Sequence, residues 1–437
     1  MAEMSLPKEV NFGNPLPFIP EGATATLMSV QSTNGISFGN NQVIQFDLPS
    51  QAGLYIIPSS LFIRYKFEAV SGATAAIIRR KPAYTLISRL EEFIGSVPCS
   101  SVYQYNQVAN AYVDTNFSMA DVQGQYTSFG LTGAPAVFTD ADGQSMSASG
   151  TYTGYVSAPL VCSALGSLSH YYPTALTAPW RIQLTHAPVA EIATVTANLT
   201  STTIIQPELC FQVINLGSAV DALVAQMSPR LRIKATCWAN ASQSIATSSS
   251  GYTTLPFNHR YKSITSLYLH STSSSATKGV NLWGDSFNIL GDATTAGSVQ
   301  FQIGQAMYPQ LPLNNLTGGR TAVLQYLRMC NSGSITDQRN TMSIGDENFA
   351  QYANGSTAST SNLPAKFIVG IPLSKVVAQN PYSSTALLSG VDAASTPINV
   401  LLNIGSSTNT AMNMYLVAEY DEIIEIDVMS RQVNIVC

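Results

Sequence analysis

The chain has 437 residues, and only 10% of them are charged (20 Lys or Arg, 25 Asp or Glu), against roughly 25% in an average soluble protein. The hydrophobic fraction is an ordinary 45%, the net charge is −5 and the pI is about 5.4. This balance excludes a disordered chain, a coiled coil and a basic nucleic-acid binder, and it suits a protein that hides surface against copies of itself.

Residues 1–30 hold Pro7, Pro15, Pro17 and Pro20, a single cation at Lys8 and no periodicity, which predicts an extended N-terminal arm. From Gly35 the pattern is β. Ile44, Phe46 and Leu48 alternate with Val43, Gln45 and Asp47, and a Pro49–Gly53 break follows. Leu61, Ile63, Tyr65 and Phe67 make the next strand, and residues 86–97 a third strand region. The period then changes: Tyr105, Val108, Ala109, Tyr112 and Val113 fall on one helical stripe within 103–117. Residues 118–157, rich in Gly, Ser and Thr with an Asp142-Gly143 turn, predict a long surface loop. Strand signals resume at 154–162, 181–185, 208–214 and 231–238, with a short helix at 219–227.

A second set follows. Residues 263–270, 298–303, 367–371, 398–404 and 412–428 carry strand patterns, and 320–330 carries a second helical stripe through Val323, Leu324 and Leu327. Each half thus reads as short strands with one inserted helix. The prediction is an all-β chain with a few short helices, folded as two tandem jelly-roll β-sandwiches of the same topology, over 31–245 and 246–437.

Concentrated chemistry is missing from the sequence. His170, His186, His259 and His270 show no metal-ligand spacing, and neither a GxSxG elbow nor a phosphate-binding glycine loop occurs. Asp140-x-Asp142-Gly143 opens like a calcium loop, but Thr151 stands where the bidentate Glu belongs. Glu91 and Glu92 are adjacent in a strand, so they point to opposite faces and are not a paired acid and base. The six cysteines form no CxxC pair and read as reduced, buried small hydrophobes. Arg79-Arg80-Lys81 reads as a solvated turn. No signal peptide is expected, and no apolar run of about 18 residues spans a bilayer. No catalytic residue, metal ligand or cofactor is assigned.

The last long strand is the one patterned candidate. Met412, Met414, Leu416, Ala418, Tyr420, Ile424, Ile426 and Val428 form an apolar face broken by Glu422. Glu419, Asp421, Glu425 and Asp427 place four carboxylates on the other. Same-face neighbours lie about 7 Å apart, inside the Debye length of roughly 8 Å, so they repel. The face is either simply solvated or an acidic seam between rolls or subunits, neutralised by Arg or Lys. A neutralised seam predicts carboxylates held below their usual range near 4.

Four stretches in order, Phe46–Tyr65, Leu86–Asn110, Val156–Thr185 (with Leu165-Gly166, Tyr172-Pro173 and Ala175-Leu176) and Asn413–Val428, resemble the double-jelly-roll major capsid proteins of tailless icosahedral viruses. Phe301–Leu313 and Pro364–Lys375 are similar in style. The resemblance implies a homotrimeric, pseudo-hexagonal capsomer tiling an icosahedral virion shell, with neighbouring capsomers and a separate vertex protein as partners. It implies no catalysis and no sequence-specific nucleic-acid binding, and it is compatible with an internal membrane. The alternative from another class is a receptor- or carbohydrate-binding β-sandwich, as in a viral fibre or lectin; a β-sandwich glycoside hydrolase is the third.

Overall fold

The structure, a computed structural model, describes residues 23–436 except 75, 79–80, 119–120, 122–123, 126, 131–143, 194–198, 246–250, 274–296, 315–318, 333–366, 375–387 and 405–411. In chain order the first half contains β1 (Thr24–Gln31), β2 (Ser37–Gly39), β3 (Val43–Asp47), β4 (Leu54–Ile56), β5 (Phe62–Ser71), β6 (Ala76–Ile78), β7 (Ile87–Ile94) and β8 (Val97–Tyr103). Helix α1 (Tyr105–Asn116) follows, then β9 (Gln144–Met146), β10 (Thr151–Pro159), β11 (Tyr172–Pro173), β12 (Trp180–His186) and β13 (Leu199–Asn215). After α2 (Ser218–Met227) come β14 (Arg230–Ile245), β15 (Gly251–Phe257), β16 (Ile264–Ser273), β17 (Ser298–Ile303), β18 (Ala306–Asn314), α3 (Gly319–Ser332), β19 (Val369–Pro372), β20 (Ile398–Ile404), β21 (Met412–Asp427) and β22 (Val433–Val436).

The pairings give the same sandwich twice. In the first roll β1 and β2 pair with β13, which pairs with β5, which pairs with β10; the facing sheet runs β3-β12-β7-β8. In the second roll the orders are β14-β21-β16-β19 and β15-β20-β17-β18. The strands of these orders follow the same chain order in both rolls, while β4 and β11 extend the first roll's sheet, β22 adds to the second's, and β6 and β9 form a separate pair; in both rolls the helix follows the edge strand of the second sheet. This is the double jelly roll.

Alternation builds each sheet. In β12, Trp180, Ile182, Leu184 and His186 point inward, while Arg181, Gln183 and Thr185 are half-exposed; β17 repeats this with Val299, Phe301 and Ile303. One face of each strand is apolar, so register is fixed by burial: a one-residue slip would turn that face to water. Helix α1 departs from its sequence pattern. A stripe was expected, but ten of its residues are buried, among them Asn106, Gln107, Asn110 and Asp114. The helix is enclosed between the rolls, so its polar side chains are buried along with its apolar ones. Helix α3 lies directly on β19, where a Cβ on Gly370 would stand 2.7 Å from Leu327 Cδ1.

Four expectations need correction. Strand β14 was expected in the first roll, but it pairs over its whole length with β21, from Arg230↔Asp427 to Ile245↔Met412, so it belongs to the second sandwich. Alternation marks a strand but says nothing about which partner it takes. The arm expected to reach residue 30 ends earlier, because β1 pairs with β13 from Thr24↔Asn215 to Gln31↔Glu208. The loop expected to reach residue 157 stops at β10. Lys81 is not a solvated turn residue: it is buried and paired with buried Asp114 at 2.8 Å. The Asp140–Gly143 turn lies outside the described residues.

Candidate functional site: the seam between the rolls

A strand at a sheet edge presents a row of unpaired amides and carbonyls. β14 is such an edge, and the first roll covers it. The covering segment is the turn after β10. Ser167 Oγ donates to the Thr236 carbonyl (2.7 Å) and accepts from the Thr236 amide (2.9 Å). Two residues on, the Ser169 amide donates to the Lys234 carbonyl (2.9 Å), and Ser169 Oγ accepts from the Lys234 amide (3.2 Å). Farther along the edge, Asn240 Nδ2 donates to Gln104 Oε1 at 2.9 Å. Two serine hydroxyls thus act as surrogate ladder groups, and each serves as donor or acceptor as required.

Glu92 holds that turn in place. It lies on the buried phase of β7, between Leu90 and Ile94, where alternation calls for an apolar residue. Its carboxylate accepts from Ser163 Oγ and from the Leu165 amide (3.1 Å), at the base of the 165–167 turn. Burial pushes the carboxyl up from 4.5 to about 7, against the opposing pull of Ser163 and the turn amides. Sequence reading placed Glu92 opposite Glu91 but missed this role; the signal was a carboxylate in an apolar phase.

The faces of the rolls meet through aromatic side chains. Tyr112 of α1 and Trp238 of β14 pack edge to face, centroids 5.7 Å apart. Around them Val108, Ala111, Tyr268, Ile368 and Val417 leave a void of only about 20 Å³. A second, polar cleft of about 500 Å³ opens at the seam's end between Arg89, Tyr103, Glu191 and Ser242.

The four carboxylates of β21 fall into different environments. Asp421 is buried and meets Lys234 Nζ at 2.9 Å; Glu425 meets exposed Arg232 Nε at 2.7 Å. Both cations come from β14 of the same chain. Asp427 accepts from the Met429 and Ser430 amides at 3.0 and 2.9 Å, and the Ser430 amide leads in holding it below its usual value. Glu419 lies beside Ser266 and Tyr268 of β16. A seam neutralised throughout would hold all four low, and Glu419 departs from that pattern: burial, then the Asp421 charge, pushes it up to about 7. Glu422, the polar break on the apolar face, is buried and accepts from the Cys237 thiol at 3.4 Å.

The remaining candidates are structural. His186 is buried against Thr202 Oγ1 (2.9 Å), and burial holds it down at about 4. His259 reaches the Leu416 carbonyl at 2.8 Å, and His270 stacks on Tyr415. Cys99, Cys162, Cys210 and Cys237 are buried and Cys330 is half-buried, and none of the five forms a disulfide. Among the described residues no group of three His, Cys, Asp or Glu could hold a metal ion, and no helix is long and apolar enough to cross a membrane.

No protein-family model matches the chain, and no curated protein matches it in sequence. Solved structures do match, along nearly the whole chain. The Faustovirus major capsid protein superposes with a TM-score of 0.60 at 10% identity, over 94% of this chain and 91% of its own. PBCV-1 VP54, fitted into a reconstruction of the virophage Sputnik, gives 0.56 at 12%, over 97% and 99%. The mavirus major capsid protein gives 0.55 at 9%, over 100% and 95%. The chain therefore has the double jelly-roll fold of viral major capsid proteins, with both rolls included in the match.

Proposed function

We propose that this chain is the major capsid subunit of an icosahedral virus. Three copies form a pseudo-hexagonal capsomer, and capsomers tile the shell of the virion. A separate vertex protein occupies the positions a six-sided block cannot fill. The observation that carries the reading is the end-to-end likeness to capsid proteins, at 91% or more of the length of each matched chain. Composition supports it independently. A subunit buried on many sides cannot leave charges unpaired, since stranding one partner of a buried pair costs about 3–5 kcal/mol, and this chain has replaced charge with Ser, Thr, Asn and Gln. The reading assigns no catalytic role to any residue.

Native mass spectrometry of the purified protein tests the trimer. A three-chain species that survives dilution is expected. A stable monomer at micromolar concentration, together with retention of defined glycans on an array, would replace the shell reading with the receptor-binding one.

A further inference from the structure

The four large sheets of the two rolls differ in their charge. The β3-β12-β7-β8 sheet carries the Arg181–Asp47 and Arg89–Glu91 pairs, each at 2.6 Å. Its partner in the first roll carries Lys66–Glu68 and Arg64–Glu208. The β14-β21-β16-β19 sheet carries Lys234–Asp421 and Arg232–Glu425. The β15-β20-β17-β18 sheet carries none, because no Asp, Glu, Lys, Arg or His occurs in any of its four strands.

Its outer face is ordered in rows by the register. Pro256, Asn399, Gln302 and Met307 form one row; Thr254, Leu401 and Gln300 form the next. Tyr252 at its margin is 87% exposed, and Leu311 on β18 is 80% exposed. A solvated sheet of this size ordinarily carries charge on its outer face, as the equivalent sheet of the first roll does. Loss of charge with retention of aromatic residues and Met is the composition of an interface core. Four strands about 4.8 Å apart and roughly 20 Å long cover about 400 Å². That is near half of the roughly 800 Å² a stable contact buries per partner, so the exposed side of β18 supplies part of the rest.

A second stretch without charge lies on the other roll, bordered by the Arg181–Asp47 pair at the end of β3. Residues 23–46, spanning β1 and β2 and all but the last residue of β3, contain no charged residue, and they expose Leu27 (65%), Ile36 (69%) and Val43 (41%). We propose that the neutral outer face of β15-β20-β17-β18 docks, head to tail, on the β1–β3 surface of a second copy of this chain. The occupant follows from charge matching: a neutral polar face gains nothing from a charged partner and would strand its charges. The chain itself offers a matching neutral surface in one-to-one supply. Because the two surfaces sit on different rolls, the contact is heterologous, and such contacts close into a ring when the rotation allows. The inference rests on the capsid reading and specifies which faces build the capsomer.

The test is native mass spectrometry on the full chain, with the wild type, Gln300→Glu/Gln302→Glu, Leu27→Glu/Val43→Glu and the control Ser157→Glu, which sits beside Arg64 on β10, across β5 and β13 from β1. Far-ultraviolet circular dichroism and melting curves identify any variant that fails to fold, and Thr254→Glu and Ile36→Glu then replace it. The wild type and the control are expected to be trimers. Each variant of the two faces is expected to weaken the trimer at least about tenfold, equivalent to 1.4 kcal/mol. Mixed together, the two damaged chains still hold one intact face each, so the mixture should yield a one-to-one heterodimer and no trimer. Persistence of the trimer in either variant overturns the assignment of that face. Loss of the trimer without heterodimer on mixing overturns the head-to-tail contact. A monomeric wild type removes the capsid reading and this inference together, which separates that failure from the other two.

Discussion

Tyr112 and Trp238 belong to different rolls, 126 positions apart, and meet edge to face with centroids 5.7 Å apart, beside a void of only about 20 Å³. Such a pair adds about 0.5–1.5 kcal/mol beyond the area it buries. Trp238→Ala removes that and opens a large cavity, so a loss of about 3–5 kcal/mol is expected. The expected signature is more specific than lower stability: the single melting transition of the wild type should split in two as the rolls uncouple. Calorimetry checks this, and an unsplit transition would show that the rolls are coupled elsewhere.

Ser167 and Ser169 occupy the hydrogen-bonding edge of β14. Ser167→Ala/Ser169→Ala leaves Lys234 and Thr236 backbone groups without those partners, at about 1–3 kcal/mol for each group that remains buried. Hydrogen exchange should accelerate at the Lys234 and Thr236 amides and stay unchanged at β14 amides that face β21. Uniform acceleration along β14 would point to loss of the whole strand instead.

Glu92 gives the seam a dependence on pH. Its folded value, about 7, lies above the ordinary 4.5, so its contribution to stability is complete below 4.5 and is lost as pH rises through 7. Glu419, also raised to about 7, acts in the same direction from the other roll. Glu92→Gln keeps an acceptor for Ser163 and Leu165 without the charge. Its melting temperature should match the wild type below about pH 4.5 and exceed it above neutrality. An identical pH profile in wild type and variant would contradict the role of Glu92.

The two ion pairs between β14 and β21 should differ in worth. Arg232 is 69% exposed, and such pairs are worth about 0–1 kcal/mol. Asp421 is buried, so Lys234→Met strands a charge and should cost about 3 kcal/mol. Asp427, held low by backbone amides, contributes above the ordinary 3.8 and loses that as pH falls through its depressed value. If the acidic strand also serves as a seam between subunits, Glu425→Gln/Asp427→Asn should change the pH at which particles dissociate. An unchanged dissociation profile leaves it a solvated face.

Period-two alternation made most strands legible, as in β12 and β17, where every second residue is buried. The inserted helices showed through their change of period. β1 was not legible because its side chains are mostly exposed, so no apolar phase marks it. β14 was visible as a strand, but its partner was not, since alternation carries no record of long-range pairing. The seam was least legible of all. Ser167 and Ser169 look like ordinary turn residues, and only their position beside β14 makes them ladder groups. Glu92 and Glu422 left a trace, each a carboxylate where the strand phase calls for an apolar side chain. The carboxylates of β21 were read from the sequence as one ladder. The structure separates them, because Lys234 and Arg232 reach only two of the four.

The central claim is that this chain builds a closed shell from three-chain blocks. Electron microscopy of the purified protein under assembly conditions tests it most directly. The account predicts hexagonal blocks and closed icosahedral particles whose repeating unit holds three chains and six rolls. Monodisperse single chains, or discrete trimers that form neither sheets nor shells at any concentration, would contradict it.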